Sequence, residues 1–236
     1  MSEWSDLEQR LQGALRLTRR PVAVAYRDAV PDGVARFAGS EPSSCSFWRL
    51  ADEGRVFATV PADHYNCPIG SYTQNTPLPA ERAAELDQVL GLMTEIGYVR
   101  MEEVPGIPRV PTPPGAIVYA PLGETPVAPD VVLFVGRPGR LMLLQEAAMR
   151  AGVAAALPLL GRPTCMALPA ALTSGVIVSA GCVGNRVYTD VGEDELYAVV
   201  PGKDLARLAD ALDEIAAANA TLADYHQQRR QQLASE

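Results

Sequence analysis

The chain is poor in the residue types that build most reactive centres. Among its 236 residues are two histidines and four cysteines, and aromatic residues make up 6%. Two histidines exclude any site that needs three imidazoles. Four cysteines are too few for a disulfide-dense scaffold, and a chain long enough to bury a substantial core does not need one. Positive charge is also scarce: 20 Lys and Arg stand against 28 Asp and Glu, for a net charge of −8. Tight binding to a phosphate backbone requires the opposite balance, so no nucleic-acid partner is expected.

Targeting and membrane signals are missing as well. The start, Met1-Ser2-Glu3-Trp4-Ser5-Asp6, lacks a positive segment followed by an apolar one, so no secretory leader is read. No charge occurs from Pro163 to Asn185, a run long enough to span a bilayer. Pro169, Gly175, Gly181 and Gly184 interrupt it, with Ser and Thr between them. It reads as protein interior, and no membrane partner is expected. The chain is then cytosolic, where four cysteines are more readily thiols or metal ligands than disulfides.

What the chain does have is apolar residues, 48% of the total, together with 19 Gly and 20 Pro. Wholesale disorder is excluded, and a fold rich in shaped loops is expected. Ser5 and Glu8 fit a capping box, with Leu7, Leu11 and Leu15 following at helical spacing, so a first helix is expected from about Asp6 to Leu17. Short apolar runs predict strands over 22–26, 56–60, 116–120, 131–135, 176–179 and 196–200. Phe47, Trp48 and Leu50 suggest a short helix ending at Gly54. The segment from Pro61 to Gly70 reads as a turn.

Further helices follow. Pro79 suits the first turn of a helix whose apolar face is Leu86, Val89, Leu90, Met93 and Ile96. Five prolines between Pro105 and Gly115 make a rigid loop. Gly136-Arg137-Pro138-Gly139 leads into a helix over 140–151, a strand-turn-helix unit. Its glycines do not meet the dinucleotide fingerprint, so a tight turn is expected there. A final helix over about 203–232 carries a packing stripe of Leu205, Leu208, Leu212, Ile215 and Leu222. It is long enough to serve as a homo-oligomer interface.

The two halves follow one pattern. Cys45 is followed by an expected helix, Gly54, a strand and Cys67, with Gly70 in the next turn. Cys165 is followed by a helix, Gly175, a strand and Cys182, with Gly184 in the next turn. A Pro-led apolar strand precedes each set, at Pro21 and Pro129. The expectation is an α/β protein with α+β mixed sheets. It forms one globular domain of two pseudo-repeated halves, about 18–100 and 115–212, packed together with flanking helices. A pseudo-twofold arrangement would bring all four cysteines to one place.

Three chemistries suit that arrangement. Four thiolates are the usual ligand set of an iron–sulfur cluster of the 4Fe–4S or 2Fe–2S type, so Cys45, Cys67, Cys165 and Cys182 are candidate metal ligands. No C-x₂-C pair exists, which argues against a zinc ribbon. Alternatively, Cys67 is a nucleophile with His64 as its base and Asp63 orienting the imidazole. In the third reading the cysteines are buried small hydrophobes, and a metal-free pocket between the halves takes a small anionic molecule. Arg186 stands beside the uncharged run and would clamp a carboxylate or phosphate, or face a salt bridge. Asn185 and Asn66 flank the second cysteines and join Arg186 as candidate ligand-binding residues.

The motifs Pro21-Val22-Ala23-Val24, His64-Tyr65-Asn66-Cys67-Pro68-Ile69-Gly70, Pro129-Asp130-Val131-Val132 and Gly181-Cys182-Val183-Gly184-Asn185-Arg186 carry a family resemblance. The chain resembles the bacterial and archaeal domain-of-unknown-function 169 family, from about Leu15 to Leu212. That resemblance implies cysteines at all four positions, a Gly after each second cysteine, and Arg at the place of Arg186. Ile69 departs from the family pattern, which has Gly there. A shared four-cysteine site is implied by the resemblance, whereas a redox partner or a small anionic molecule is expected from the site residues alone. No particular reaction is implied, nor whether the protein is an enzyme.

Overall fold

The computed structural model describes residues 2–155 and 161–234. Six strands form one sheet: β1 (Val22–Arg27), β2 (Phe57–Thr59), β3 (Ala116–Pro121), β4 (Val131–Gly136), β5 (Ile177–Ser179) and β6 (Leu196–Pro201). Their order across the sheet is β2-β3-β1-β4-β6-β5, and every ladder is antiparallel. The parallel contacts among the described residues are isolated bridges, Arg36 with Ala58 and Ala155 with Val176. The order has a simple regularity. Outward from the central β1–β4 pair stand β1, β3 and β2 on one side and β4, β6 and β5 on the other, so β3, expected within the second half, lies on the first half's side of the sheet. The seam itself is short, pairing Val22 with Leu133, Ala23 with Val132 and Val24 with Val131.

Side chains alternate across the strands with period two, so each face of the sheet needs a cover. Ala23, Val132, Phe134, Ala198 and Val200 face a layer of α1 (Glu3–Leu15), α5 (Pro138–Arg150) and α8 (Leu205–Ala234). Val22, Val24, Ile117, Tyr119, Leu133 and Tyr197 face the other side. There α2 (Ser46–Asp52) and α6 (Ala167–Ser174) cover them, through residues such as Phe47, Trp48 and Leu168. Two short helices, α3 (Pro68–Gln74) and α7 (Val183–Thr189), lie on this same side, against the Cys165 turn and α2 respectively. The last helix, α4 (Ala84–Glu95), packs on α3. The uncharged run from Pro163 is interior in its first part, Thr164 to Ala171, whereas Thr173, Ser174 and Val183 are exposed. No helix among the described residues is long and apolar enough to cross a membrane.

Several local expectations are redrawn. The first helix starts earlier because Ser2 caps it, accepting from the Ser5 N–H at 3.2 Å. Glu8 makes no capping box. It is buried and accepts from Arg20 Nε at 2.6 Å and from the Gly123 N–H, tying α1 to the turn after β3. The stretch read as a turn to Gly70 is a 3₁₀ turn over Pro61–His64 followed by α3, with Pro68 at its first position, where no N–H is missed. Gly54 and Gly175, the matched glycines after the first helix of each half, both hold positive φ, at 103° and 86°. A side chain at either position would be strained.

The stripe on α8 buries Leu205, Leu208 and Leu212, and Ile215 packs at its edge. Leu222 does not belong to it, being 55% exposed. From Ala217 to Leu233 every residue is exposed, so this part of the helix leaves the body. Deleting residues 217–234 is therefore expected to lower the melting temperature by less than about 3 °C. Leu208→Ala, in the packed part, should cost about 2–5 kcal/mol. Thermal unfolding of the two variants checks both, and a collapse on truncation would show that the outer turns are packed in solution.

Candidate functional site

Each cysteine stands where a helix begins. Cys45 precedes α2, Cys67 precedes α3 and Cys182 precedes α7, while Cys165 lies in the 3₁₀ turn Thr164–Met166 that opens into α6. The helices are anchored by their apolar faces on the sheet, which places Cys45 and Cys165 in one buried cluster. Gln74 links the halves. Its Nε2 donates to the Cys165 carbonyl at 3.5 Å and its Oε1 accepts from the Tyr26 hydroxyl at 2.8 Å. As a result all four cysteines line a single cavity of about 330 Å³. All four are free thiols.

The thiols differ in their surroundings. Cys45 and Cys165 are buried, while Cys67 and Cys182 are partly exposed. Burial pushes the Cys45 and Cys165 thiols well up from their ordinary range, and the proximity of the other cysteines adds to the shift. Both therefore keep their protons at neutral pH in this arrangement. Cys67 Sγ accepts from the Gly70 N–H at 3.3 Å and sits 3.8 Å from Ser43 Oγ. A Cβ on Gly70 would come 2.9 Å from that sulfur, so glycine is what lets the first turn of α3 close around it. Among the described residues, no group of three or more His, Cys, Asp or Glu is placed to hold a single metal ion.

His64 is not directed at Cys67. Its Nδ1 meets Ser44 Oγ at 3.0 Å and its Nε2 meets Thr59 Oγ1 at 2.9 Å, so both ring nitrogens are taken by hydroxyls. The ring is buried against Phe47. Asp63 accepts from the Val60 N–H at 2.7 Å and does not orient the imidazole. The histidine and Cys67 touch through the backbone alone, Cys67 N–H to the His64 carbonyl at 3.0 Å.

Arg186 is likewise engaged elsewhere. Its terminal nitrogens donate to the carbonyls of Val191 (3.3 Å), Glu195 (3.1 Å), Gly192 and Ala180. It forms no ion pair with a carboxylate among the described residues. It closes the loop between α7 and β6 and stands outside the cavity wall. Asn66, exposed at the cavity edge, donates to Ser40 Oγ at 2.9 Å and to the Glu41 carbonyl at 3.2 Å. Asn185 is different. It lines the cavity, is 2% exposed, and neither its Oδ1 nor its Nδ2 has a hydrogen-bond partner.

The remaining wall comes from residues that sequence reasoning gave no site role. The apolar face of α4 supplies Val89, Leu90 and Met93, and the segment after it supplies Tyr98, Val99 and Ile107. Ile96, expected on that face, points away and is 66% exposed. Arg162 brings the positive charge that Arg186 was expected to bring. It stacks on Tyr98, 4.8 Å from the ring centroid, and its carboxylate neighbour, Glu103, is 4.0 Å away. A helix stripe and a lone Arg before a Pro carry no local signature of a binding site, which is why neither was singled out.

The sequence profile of the DUF169 family, described as uncharacterised ArCR, matches residues 10–211. An uncharacterized protein of Methanocaldococcus jannaschii is 26% identical over 231 residues, spanning 90% of this chain and 95% of that relative. No solved structure matches.

Burial pushes the His64 imidazole down to about 3. In the unfolded chain it titrates near about 6.5. Between these values the unfolded state binds a proton that the folded state refuses, so stability is full above about pH 6.5 and declines as pH falls toward 3. His64→Asn is expected to be less stable than the native chain at pH 7.5, with a shallower loss on acidification. Urea unfolding at pH 7.5, 6 and 5 checks this, and parallel curves for the two proteins would show that His64 does not titrate this way.

Proposed function

The chain belongs to the DUF169 family, whose description names no activity, and from the geometry of the cavity we propose that it is a cofactor protein whose four cysteines ligate an iron–sulfur cluster. The observation that carries this reading is the convergence of four unlinked thiols, from four helix starts far apart in the chain, on one cavity. Cysteines serving only as small hydrophobes need no such meeting point. Four thiolates are the usual complement of a 4Fe–4S or 2Fe–2S group. The thiols stand around the cavity rather than in a group fit for one metal ion. A larger group that takes its thiolates at different irons suits that dispersal better than a mononuclear centre.

The chain's own residues support such a group in definite ways. The Gly70 N–H already donates to Cys67 Sγ and would offset thiolate charge there. Arg162 in the wall places a positive charge beside an anionic site. Val89, Leu90 and Met93 keep water from one side. Because Cys45 and Cys165 hold their protons, loading must release them, and affinity should rise with pH. When bound, the group would exchange single electrons, giving a cytosolic carrier or redox chemistry on a small anionic molecule. The matched order of elements on either side of the β1–β4 seam supports reading the halves as copies of one unit, each giving two thiols.

Protein purified without oxygen is expected to be brown, with broad absorbance near about 400 nm and about four irons per chain. Cys45→Ser and Cys182→Ser should each strip most of the iron while leaving the far-UV circular dichroism unchanged. Colourless, iron-free protein from anaerobic cells would sink the reading.

A further inference from the structure

Asn185 is an exception within this layer of the fold. Most polar side chains buried in this layer have partners: His64 meets two hydroxyls, Gln74 bridges Tyr26 and Cys165, and Thr73 donates to the Gly70 carbonyl at 3.1 Å, while the Tyr119 hydroxyl, away from the cavity wall, has none. The Asn185 amide has none at either atom. Leaving one such group unmade costs about 1–3 kcal/mol, and here two are unmade on one side chain.

The neighbours explain why the protein cannot supply the bonds. The amide lies against the Cys45 thiol and the Tyr197 hydroxyl. Thr189 Oγ1 spends its one proton on the Asn185 carbonyl, at 2.8 Å. The 2.7 Å contact between Thr189 Oγ1 and the Tyr197 hydroxyl must then use the tyrosine's proton. So Tyr197 has nothing left to donate to Oδ1, its oxygen is not placed to accept from Nδ2, and a thiol is a weak donor. Gly181, at φ 80°, leaves room for the amide, since a Cβ there would meet Asn185 Oδ1 at 3.2 Å.

An amide side chain offers an acceptor and a donor side by side. Its complement is a donor and an acceptor side by side. The cavity is at the small end of ligand pockets, its wall is mainly apolar, and Asn185 is the buried lining polar group left without a partner among the described residues. We infer that the cavity takes a small organic molecule with an apolar body and an amide or lactam edge, and that Asn185 is the residue that reads this edge. The inference rests on the cavity being a binding site, but not on the cysteines holding metal.

The test uses the full reduced chain as purified, with its iron content recorded. Binding of δ-valerolactam, which has adjacent N–H and C=O groups, is compared by ligand-detected NMR with that of cyclohexanone, which has the C=O alone. The lactam is expected to bind about tenfold more tightly, as one extra neutral bond and one rescued buried acceptor imply. Asn185→Leu should abolish that preference, leave cyclohexanone binding within about twofold, and melt no lower than the native chain. A purely structural amide would instead lower the melting point when removed. Equal binding of the two probes to the native protein, as expected if water alone satisfies Asn185, overturns the inference. So does a lactam preference that survives in Asn185→Leu. Lactam preference in iron-free protein would leave this inference standing and remove the cluster, whereas normal iron content with no preference would do the reverse.

Discussion

Everything in this fold hangs on the three residue pairs that join β1 to β4. Three strands lie on either side of this seam, β1, β3 and β2 on one and β4, β6 and β5 on the other, and no ladder but this one joins the two sets. The pairing is antiparallel, so the two sets run outward from it in the same internal order. It also sets the register of the faces. A slip of one residue would turn Val22, Val24 and Leu133 to the opposite side and carry their helices with them. The helices that begin at the cysteines would then no longer share one layer. The meeting of four thiols is in this sense a consequence of backbone hydrogen bonds at the centre of the sheet, far from any sulfur.

The layer over that face is built with two tolerances. Where hydroxyls and amides lie within reach of each other, they are paired closely, and His64 is held neutral between Ser44 and Thr59 as a packing residue. Where the layer opens into the cavity, the chemistry is left incomplete. Two thiols are held protonated by burial, and one amide lacks partners. Natural interiors seldom keep unmade polar bonds unless an occupant completes them. Of the two buried side chains without a partner among the described residues, Tyr119 lies within the apolar core and Asn185 in the cavity wall.

Much of this was legible in the residues. The strands were readable because β1, β3, β4 and β6 are uninterrupted apolar runs, and each of the four cysteines falls beside an expected helix or turn. Other features could not be read. The helices α3 and α7 are seven residues long, too short for periodicity, and start at cysteines where a turn was equally plausible. Arg186 looked unpartnered because its partners are carbonyls, which have no letter in a sequence. Glu8 fitted a capping box by spacing, yet Arg20 and the Gly123 N–H, brought near only by folding, hold its carboxylate. The α4 stripe showed that the helix buries one face but not that the face closes a cavity.

The frame is even-handed but its cover is not. Between α3 and β3 the chain spends residues 75–115, including α4 and the Tyr98 segment that walls the cavity, whereas residues 190–195 suffice between α7 and β6. The long excursion joins no named strand of the sheet and supplies none of the four cysteines. It is thus free to drift in length and composition while the sulfurs stay in place. A change in its length would reshape the cavity wall without touching the ladders of the sheet or the four sulfurs.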